Sequence, residues 1–333
     1  MPEAKSDFEQ VIIIGGTGQI GHRMVEAYVA EDFKGTILAT SREVKEKLPA
    51  GPLGQTIVSK AREWASPRLH WGELDFESDG HKLKEQLLAL EKFLSPGKKT
   101  VLILAAAFTN VDGCEIDPEK CKAVNESNTL ALLYWAQKSY GAKIVFYSTD
   151  YVFDGESGPY AETDKRNAVS VYGQSKANVE EWLERNAADS LILRTTGVFD
   201  YIPGSKNFLM QMISLWGDKK HTKIPSDQIS NPIWSGDIVY ATRELLDWQK
   251  SGHYGVAGAS WIARTEFSKL IAKVFNLDPS YIDAIKTADL GQKAKRPLKG
   301  GLKIDKLKKE LDWSPMGAEE ALRFLKKKFM ENK

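Results

Sequence analysis

A tyrosine and a lysine four positions apart form the first candidate catalytic pair. Tyr172 and Lys176 stand in the segment YGQSK, near the start of a stretch with a helical pattern. A helical turn takes about 3.6 residues, so this spacing places both side chains on one helix face. An ammonium beside a phenol lowers its pKa from about 10, so that the tyrosine can exchange a proton with a carbonyl or carbinol oxygen. We expect Tyr172 to be the acid–base group and Lys176 to tune it.

A hydroxyl group at the end of a strand supports this interpretation. Ser148 and Thr149 close the segment VFYST, which has the pattern of a buried strand. Ligands of open parallel sheets bind outside the carboxyl ends of the strands. A hydroxyl there can donate a hydrogen bond to a substrate oxygen on which charge develops. A hydroxyl that only caps the strand end is the alternative.

A glycine-rich turn predicts a dinucleotide site. The segment GGTGQIG has the spacing G-x-x-G-x-x-G and stands between an apolar strand and the first helix. Such glycines let the backbone approach a pyrophosphate, and the helix N-terminus offers free N–H groups. The residues expected to bind the cofactor here are Gly15, Thr17, Gly18, Gln19, Ile20 and Gly21.

The end of the second strand bears on the choice of cofactor. Ser41 and Arg42 stand where an NAD enzyme would place an acidic residue for the ribose hydroxyls. The guanidinium group suits a phosphate, so we expect NADP(H), with NAD(H) as the alternative if Arg42 is only solvated. Asp75 and Phe76 follow the third strand and are candidates for contacts with the adenine.

The elements that must position these groups alternate between strands and helices. This order predicts an α/β fold of the Rossmann type, a doubly wound parallel sheet, with a smaller C-terminal α/β substrate-binding region. We expect an NADP(H)-binding domain at residues 1–196 and a mainly substrate-binding region at 197–333, with some segments returning to the first domain. Residues 42–67 resemble an irregular insertion. The clearest expected helices span Gln19–Asp32, Glu119–Lys138, Ser170–Asn186 and Arg264–Phe275, and a late strand is expected near His253–Ala257.

Composition narrows the classes of partner and compartment. Among 333 residues, 46 basic side chains nearly cancel 45 acidic ones, so neither nucleic acid nor a membrane surface is an expected partner. No apolar stretch approaches the ~20 residues of a membrane-spanning helix, and no secretory signal is visible. Cys114 and Cys121 are expected on one helix as reduced thiols, and the histidines lack metal-ligand spacing. We expect a cytoplasmic protein without a metal.

Longer motifs make the chain similar to a known family. GGTGQIG, AAAFTNVDGCEIDPEKCKAVN, STDYVFDG and YGQSK resemble segments of the extended short-chain dehydrogenase/reductases, and among them the dTDP-4-dehydrorhamnose reductases. The resemblance extends over nearly the whole chain. It implies an NADP(H)-dependent oxidoreductase of carbohydrate biosynthesis that reduces a keto group on a nucleotide-linked deoxysugar. The nucleotide sugar is then the expected partner, and a homodimer is left open.

The resemblance also implies roles for particular residues. It assigns Thr149, Tyr172 and Lys176 as the catalytic triad and adds Ala105, Ala106 and Ala107 to the cofactor site. The implied substrate-binding residues are Thr109, Val111, Thr149, Tyr151, Tyr172, Asn207, Gln228 and Arg296. Gly197 departs from the pattern, since the rhamnose enzymes place a tryptophan there, and this leaves the identity of the sugar open.

Three other functions are compatible with such motifs. A sugar-nucleotide dehydratase usually carries Asp-Glu after the strand-end threonine, whereas Tyr151 follows Asp150 here. An epimerase generally retains NAD, which Arg42 disfavours. The regulatory β subunit of methionine adenosyltransferase is similar to the same reductases, so a catalytically silent NADP-binding protein is the alternative from another class.

Overall fold

The computed structural model describes residues 7–31, 33–42 and 68–331. Asp32 and all of the expected insertion except Arg42 lie outside the described residues. The strands are β1 Gln10–Ile14, β2 Thr36–Ser41, β3 Leu69–Glu73, β4 Thr100–Leu104, β5 Lys143–Thr149, β6 Leu191–Thr195, β7 Val198–Phe199, β8 Thr222–Pro225, β9 Ile229–Ser230, β10 Ile233–Trp234, β11 Gly252–Gly255, β12 Ile262–Ala263 and β13 Ile282–Ile285. The helices are α1 Gln19–Ala30, α2 Gly80–Leu90, α3 Val111–Ile116, α4 Pro118–Lys122, α5 Asn128–Tyr140, α6 Val171–Asn186, α7 Phe208–Gly217, α8 Ser235–Asp247, α9 Arg264–Phe275, α10 Asp305–Leu311 and α11 Ala318–Lys326.

Seven parallel strands form the central sheet. Their order is β11-β6-β5-β4-β1-β2-β3, and every pairing is parallel. Strand β1 is buried along its whole length, as expected for a strand covered on both faces. The predicted doubly wound parallel sheet is therefore confirmed. The chain leaves β1 toward β2 on one side and β4 lies on the other, so the order reverses at β1 and opens a crevice there.

Apolar side chains alternate between the two faces of the sheet. Ile12 and Leu102 point to a core that includes Leu132 of α5 and Leu183 of α6. The intervening residues of the strands, such as Ile13, pack on the other face against α1 and α8. This period of two is the strand periodicity, and it places one helical layer on each face.

The later part of the chain adds a third core and a returning strand. Trp216 of α7, Ile271 of α9 and Leu322 of α11 meet in a separate apolar cluster. The strand expected near residue 253 is present as β11, which pairs with β6 at the edge of the central sheet. The expected helix Arg264–Phe275 has the predicted bounds. No helix in the described ranges is both long and apolar enough to cross a membrane.

A helix is present over the predicted residues 119–138, but the prediction that one helix carries both cysteines was wrong. The segment contains α4, a π-helical turn at Ala123–Ser127 and α5. The two cysteines lie on separate helices, α3 and α4, rather than on one. Asp117 ends α3, and its side chain caps α4 by accepting a hydrogen bond from the N–H of Lys120. Pro118 is the first residue of α4. Both thiols are free and buried.

A buried ion pair joins α1 to the segment that follows β7. Arg23 donates to both oxygens of Asp200 over 2.7 and 3.0 Å, and Asp200 is fully buried. The same carboxylate accepts from the Ser235 hydroxyl and the Trp234 indole N–H. Burial alone would raise the pKa of Asp200, but the bonds and charge of Arg23 outweigh it and lower the pKa. The pair therefore stabilises the contact only while both charges are present.

Removal of the Asp200 charge should destabilise the fold strongly. Asp200→Asn leaves Arg23 buried with Glu26 as its remaining carboxylate, and we expect a loss of about 3 kcal/mol in the free energy of unfolding. Urea denaturation measures it. The matched control is Glu181→Gln, which breaks an exposed pair with Arg185 and should cost less than about 1 kcal/mol. Equal losses in the two variants would contradict the prediction.

Candidate active site

A cleft of about 690 Å³ lies along the carboxyl ends of the central strands. It collects most of the residues that the sequence singled out. Those that line it are Gly15, Thr17, Gly18, Gln19, Ile20, Ser41, Arg42, Asp75, Phe76, Ala105, Ala106, Ala107, Thr109, Val111, Thr149, Tyr151, Tyr172, Lys176 and Asn207. Gly21, Gln228 and Arg296 do not line it.

The glycine turn holds the N-terminus of α1 against the floor of the cleft. Gly15 has φ +80°, and a Cβ there would lie 2.9 Å from the Cβ of Ala106. A Cβ on Gly21 would lie 2.1 Å from the carbonyl oxygen of Gly15, so Gly21 serves close packing rather than the cleft surface. No described side chain caps α1 at Gly18, which leaves its first N–H groups available to an anion.

One end of the cleft carries a small charged cluster. Arg42 is 70% exposed, and its guanidinium lies 3.3 Å from a carboxylate oxygen of Glu77. Lys120 donates to the other oxygen of Glu77 over 2.7 Å, and this bond lowers the pKa of Glu77. Sequence reasoning missed Glu77 and Lys120, although Glu77 directly follows the expected adenine pair Asp75 and Phe76. Two cations therefore face one carboxylate at this end.

The strand-end hydroxyl and the tyrosine meet at the middle of the cleft. Thr149 ends β5, and its hydroxyl accepts from the N–H of Tyr151 over 3.2 Å. Tyr172 lies in the first turn of α6, which Ser170 caps through the N–H of Gly173. The hydroxyl of Thr149 lies close enough to the phenol of Tyr172 to lower its pKa slightly, against the larger effect of burial. The rings of Tyr151 and Tyr172 pack edge to face, with centroids 5.9 Å apart.

The expected effect of Lys176 on the tyrosine is not found. Burial raises the pKa of Tyr172, and the neighbouring Tyr151 and Cys114 add to this rise. The ammonium of Lys176 instead donates to the carbonyl oxygen of Tyr147 over 3.0 Å and lies 4.6 Å from the ring centre of Phe146. Burial lowers the pKa of Lys176 to about 8. The shared helix face was predicted, but a spacing of four cannot specify which group the ammonium bonds.

The substrate-side candidates divide into two groups. Tyr151, Thr109 and Val111 present their side chains to the cleft. Asn207 lines it as well, but its amide caps α7 at Met210 and donates to the carbonyl of Asp200. Gln228 and Arg296 do not line the cleft. Gln228 donates to Thr287 over 3.1 Å, and Arg296 pairs with Asp112 over 2.9 Å.

Comparison with known proteins identifies the family and its relatives. Residues 9–330 match the family model described as the RmlD substrate binding domain. The probable low-salt glycan biosynthesis reductase Agl14 of Haloferax volcanii is 32% identical over 84% of this chain and 96% of that protein. A dTDP-4-dehydrorhamnose reductase from Aggregatibacter actinomycetemcomitans is 33% identical over 68% of this chain and 80% of its own length.

Solved structures show the same fold. The dTDP-4-dehydrorhamnose reductase of Bacillus anthracis, solved in complex with NADP, superposes with a TM-score of 0.76 over 96% of this chain and 98% of that one. A dTDP-glucose 4,6-dehydratase from the same organism, solved with NAD, gives a TM-score of 0.75 over 97% of both chains. Their identities to this chain are 24% and 16%, so the likeness concerns the fold alone.

The lowered pKa of Lys176 predicts a pH dependence of stability. Below pH 8 the folded and unfolded chains both hold this proton, and the burial cost is fully present. As the pH rises from 8 toward 10.5, the folded state releases the proton first, so this cost is relieved. The stability of the wild type should therefore rise relative to Lys176→Met, by no more than about 3 kcal/mol.

Urea unfolding of both proteins between pH 7 and pH 10.5 measures this difference. The exposed Lys122 supplies the control, since Lys122→Met should retain the pH dependence of the wild type. A difference between wild type and Lys176→Met that does not vary with pH would contradict the prediction.

Proposed function

The chain belongs to the RmlD substrate-binding domain family, and from this premise we propose that it reduces a keto group on a nucleotide-linked deoxysugar with NADPH. It is an NAD(P)-dependent oxidoreductase like its relatives, two of which are named as reductases. The observation that carries the proposal is the meeting of Thr149 and Tyr172 in the same cleft as the glycine turn. The cytoplasmic location and a homodimer stay predictions.

The residues of the cleft fit a dinucleotide. The uncapped N-terminus of α1 suits its pyrophosphate, and a side-chain nitrogen of Gln19 is buried there without a hydrogen-bond partner among the described residues. Ala105 and Ala106 pack closely against Gly15 and line the cleft with small side chains. The bound cofactor would supply the hydride for the carbonyl carbon.

Tyr172 would supply the proton. Burial raises its pKa, so the phenol is protonated at neutral pH and carries a proton for the carbonyl oxygen, although the raised pKa makes it a weaker acid. The hydroxyl of Thr149 would donate a second hydrogen bond to the same oxygen and stabilise the charge that develops on it. Lys176, held by the carbonyl of Tyr147, would orient the cofactor ribose from below the tyrosine.

Asp150 supports reduction over dehydration. Asp150 lines the cleft, but its carboxylate is buried and is held in place by a 2.9 Å hydrogen bond that it accepts from the backbone N–H of Gly301. Tyr151 follows it where the dehydratases carry a second acid, and no acid–base pair is formed at this strand end. A catalytically silent NADP-binding protein is the outcome to expect if NADPH binds and no keto sugar is reduced.

Tyr172→Phe should abolish turnover without loss of cofactor. Because the variant lacks only the proton donor, we expect kcat on dTDP-linked 4-keto-6-deoxysugars to fall by about 10²–10⁴ and NADPH affinity to stay unchanged. Loss of NADPH absorbance measures turnover, and fluorescence titration measures binding. Tyr134→Phe, at an exposed tyrosine, is the control and should keep full activity. Undiminished turnover by Tyr172→Phe would refute the assignment.

The preference for NADPH should depend on Arg42 and Glu77 in opposite directions. Arg42→Ala removes a cation for the 2′-phosphate, so KM for NADPH should rise about tenfold or more while KM for NADH changes little. Glu77→Gln removes the carboxylate that holds Arg42 and would repel the phosphate, so KM for NADPH should fall. Equal effects of Arg42→Ala on both cofactors would contradict NADP(H) specificity.

A further inference from the structure

Arg264 is a cation that has no carboxylate partner among the described residues. It is the first residue of α9, is half-buried, and its guanidinium carbon lies 4.0 Å from the ring centre of Phe208. No carboxylate of the described residues forms an ion pair with it. Burial lowers the pKa of Arg264, and the charge of the nearby Arg296 adds to this. A guanidinium that is largely removed from water and has no carboxylate partner is stabilised by a bound anion.

Arg296 lies close by and is only partly satisfied. Its side chain is 9% exposed and pairs with Asp112 over 2.9 Å. The buried Nε atom of Arg296 has no hydrogen-bond partner among the described residues. Asp112 therefore compensates Arg296 alone, and the two arginines together carry one positive charge more than this carboxylate balances.

Backbone hydrogen bonds fix both arginines around one short strand. The N–H of Arg264 donates to the carbonyl of Gln228 over 2.8 Å, and the N–H of Ile229 donates to the carbonyl of Leu298 over 2.7 Å. The segment that carries Arg296 is also tied to α3, because the N–H of Ala294 donates to Asp112. The two arginines are therefore held by the fold rather than by flexible loops.

Tyr151 links these arginines to Tyr172 at the middle of the cleft. Its ring packs against that of Tyr172, and its phenol interacts with the charges of both Arg296 and Arg264. An anion bound by the arginines would thus lie one side chain away from the proton donor. In a nucleotide-linked 4-keto sugar, one pyranose ring separates the carbonyl at C4 from the diphosphate on C1.

We propose that Arg264 binds the diphosphate of the sugar nucleotide together with Arg296, and that it sets the specificity for a nucleotide-linked over a free sugar. This inference rests on the proposed function, which supplies the class of substrate. Arg264 acts in binding and transfers no proton. Its loss therefore raises KM and leaves kcat nearly unchanged.

Titration calorimetry of the NADP-loaded full chain with dTDP, and separately with thymidine, tests the proposal. Arg264→Gln should raise Kd for dTDP about tenfold or more, the loss expected for a charge-assisted contact, and leave Kd for thymidine unchanged. Arg264→Lys keeps the charge and should lie between that variant and the wild type. Arg323→Gln, at an exposed arginine of α11, is the control and should bind as the wild type does.

The outcomes separate this inference from the proposed function. Unchanged dTDP binding in Arg264→Gln overturns the inference, even if the wild type reduces a keto sugar. An equal loss of dTDP and thymidine binding also overturns it, because the effect would not concern the phosphates. A selective loss of dTDP binding supports it, even if no keto sugar in the panel is reduced. Unchanged NADPH affinity and melting temperature establish that each variant is folded.

Discussion

The reversal of strand order at β1 is the constraint from which the site follows. The chain after β1 turns toward β2 while β4 lies on the opposite side, so the segments after these two strands diverge at the carboxyl edge. Gly15 makes the tight turn at this point, and the helix that follows aims its first N–H groups into the gap. Strand β5 then delivers Thr149 to the same edge. The topology of the parallel sheet thus brings the N-terminus of α1 and the hydroxyl of Thr149 to the same edge, independently of the other side chains of the cleft.

Three cations in or near the cleft, Arg42, Lys176 and Arg264, differ in how far their charge is compensated. Arg42 is exposed and shares Glu77 with Lys120. A phosphate can therefore replace Glu77 as the partner of Arg42 with little loss of stability. Lys176 is buried, which lowers its pKa, and its hydrogen bond to the carbonyl oxygen of Tyr147 fixes its position. Arg264 lies on an aromatic ring with no carboxylate from the described residues. These differences suit a substrate and a cofactor whose phosphates bind away from the reacting groups at the middle of the cleft.

Much of this was predictable from the sequence, because local patterns report local structure. The buried strands, the glycine turn and the shared helix face of Tyr172 and Lys176 each depend on neighbouring residues only. The cysteines were misplaced because a single proline at position 118 restarts the helix. The partner of Lys176, the role of Glu77 and the isolation of Arg264 depend on contacts between distant segments. Spacing along the chain carries no information about such contacts.

The raised pKa of Tyr172 has a consequence for proton transfer. A phenol with a raised pKa stays protonated at neutral pH but is a weaker acid, so the proton that a ketone oxygen requires is present on Tyr172 and is released less readily. Burial is the main cause of the raised pKa, and a cationic nicotinamide bound nearby would oppose it by favouring the phenolate. The neutral, reduced cofactor would leave it in place. The apolar packing around Tyr172 therefore holds the proton on the phenol until the charge beside it changes, and it sets no direction for the reaction by itself.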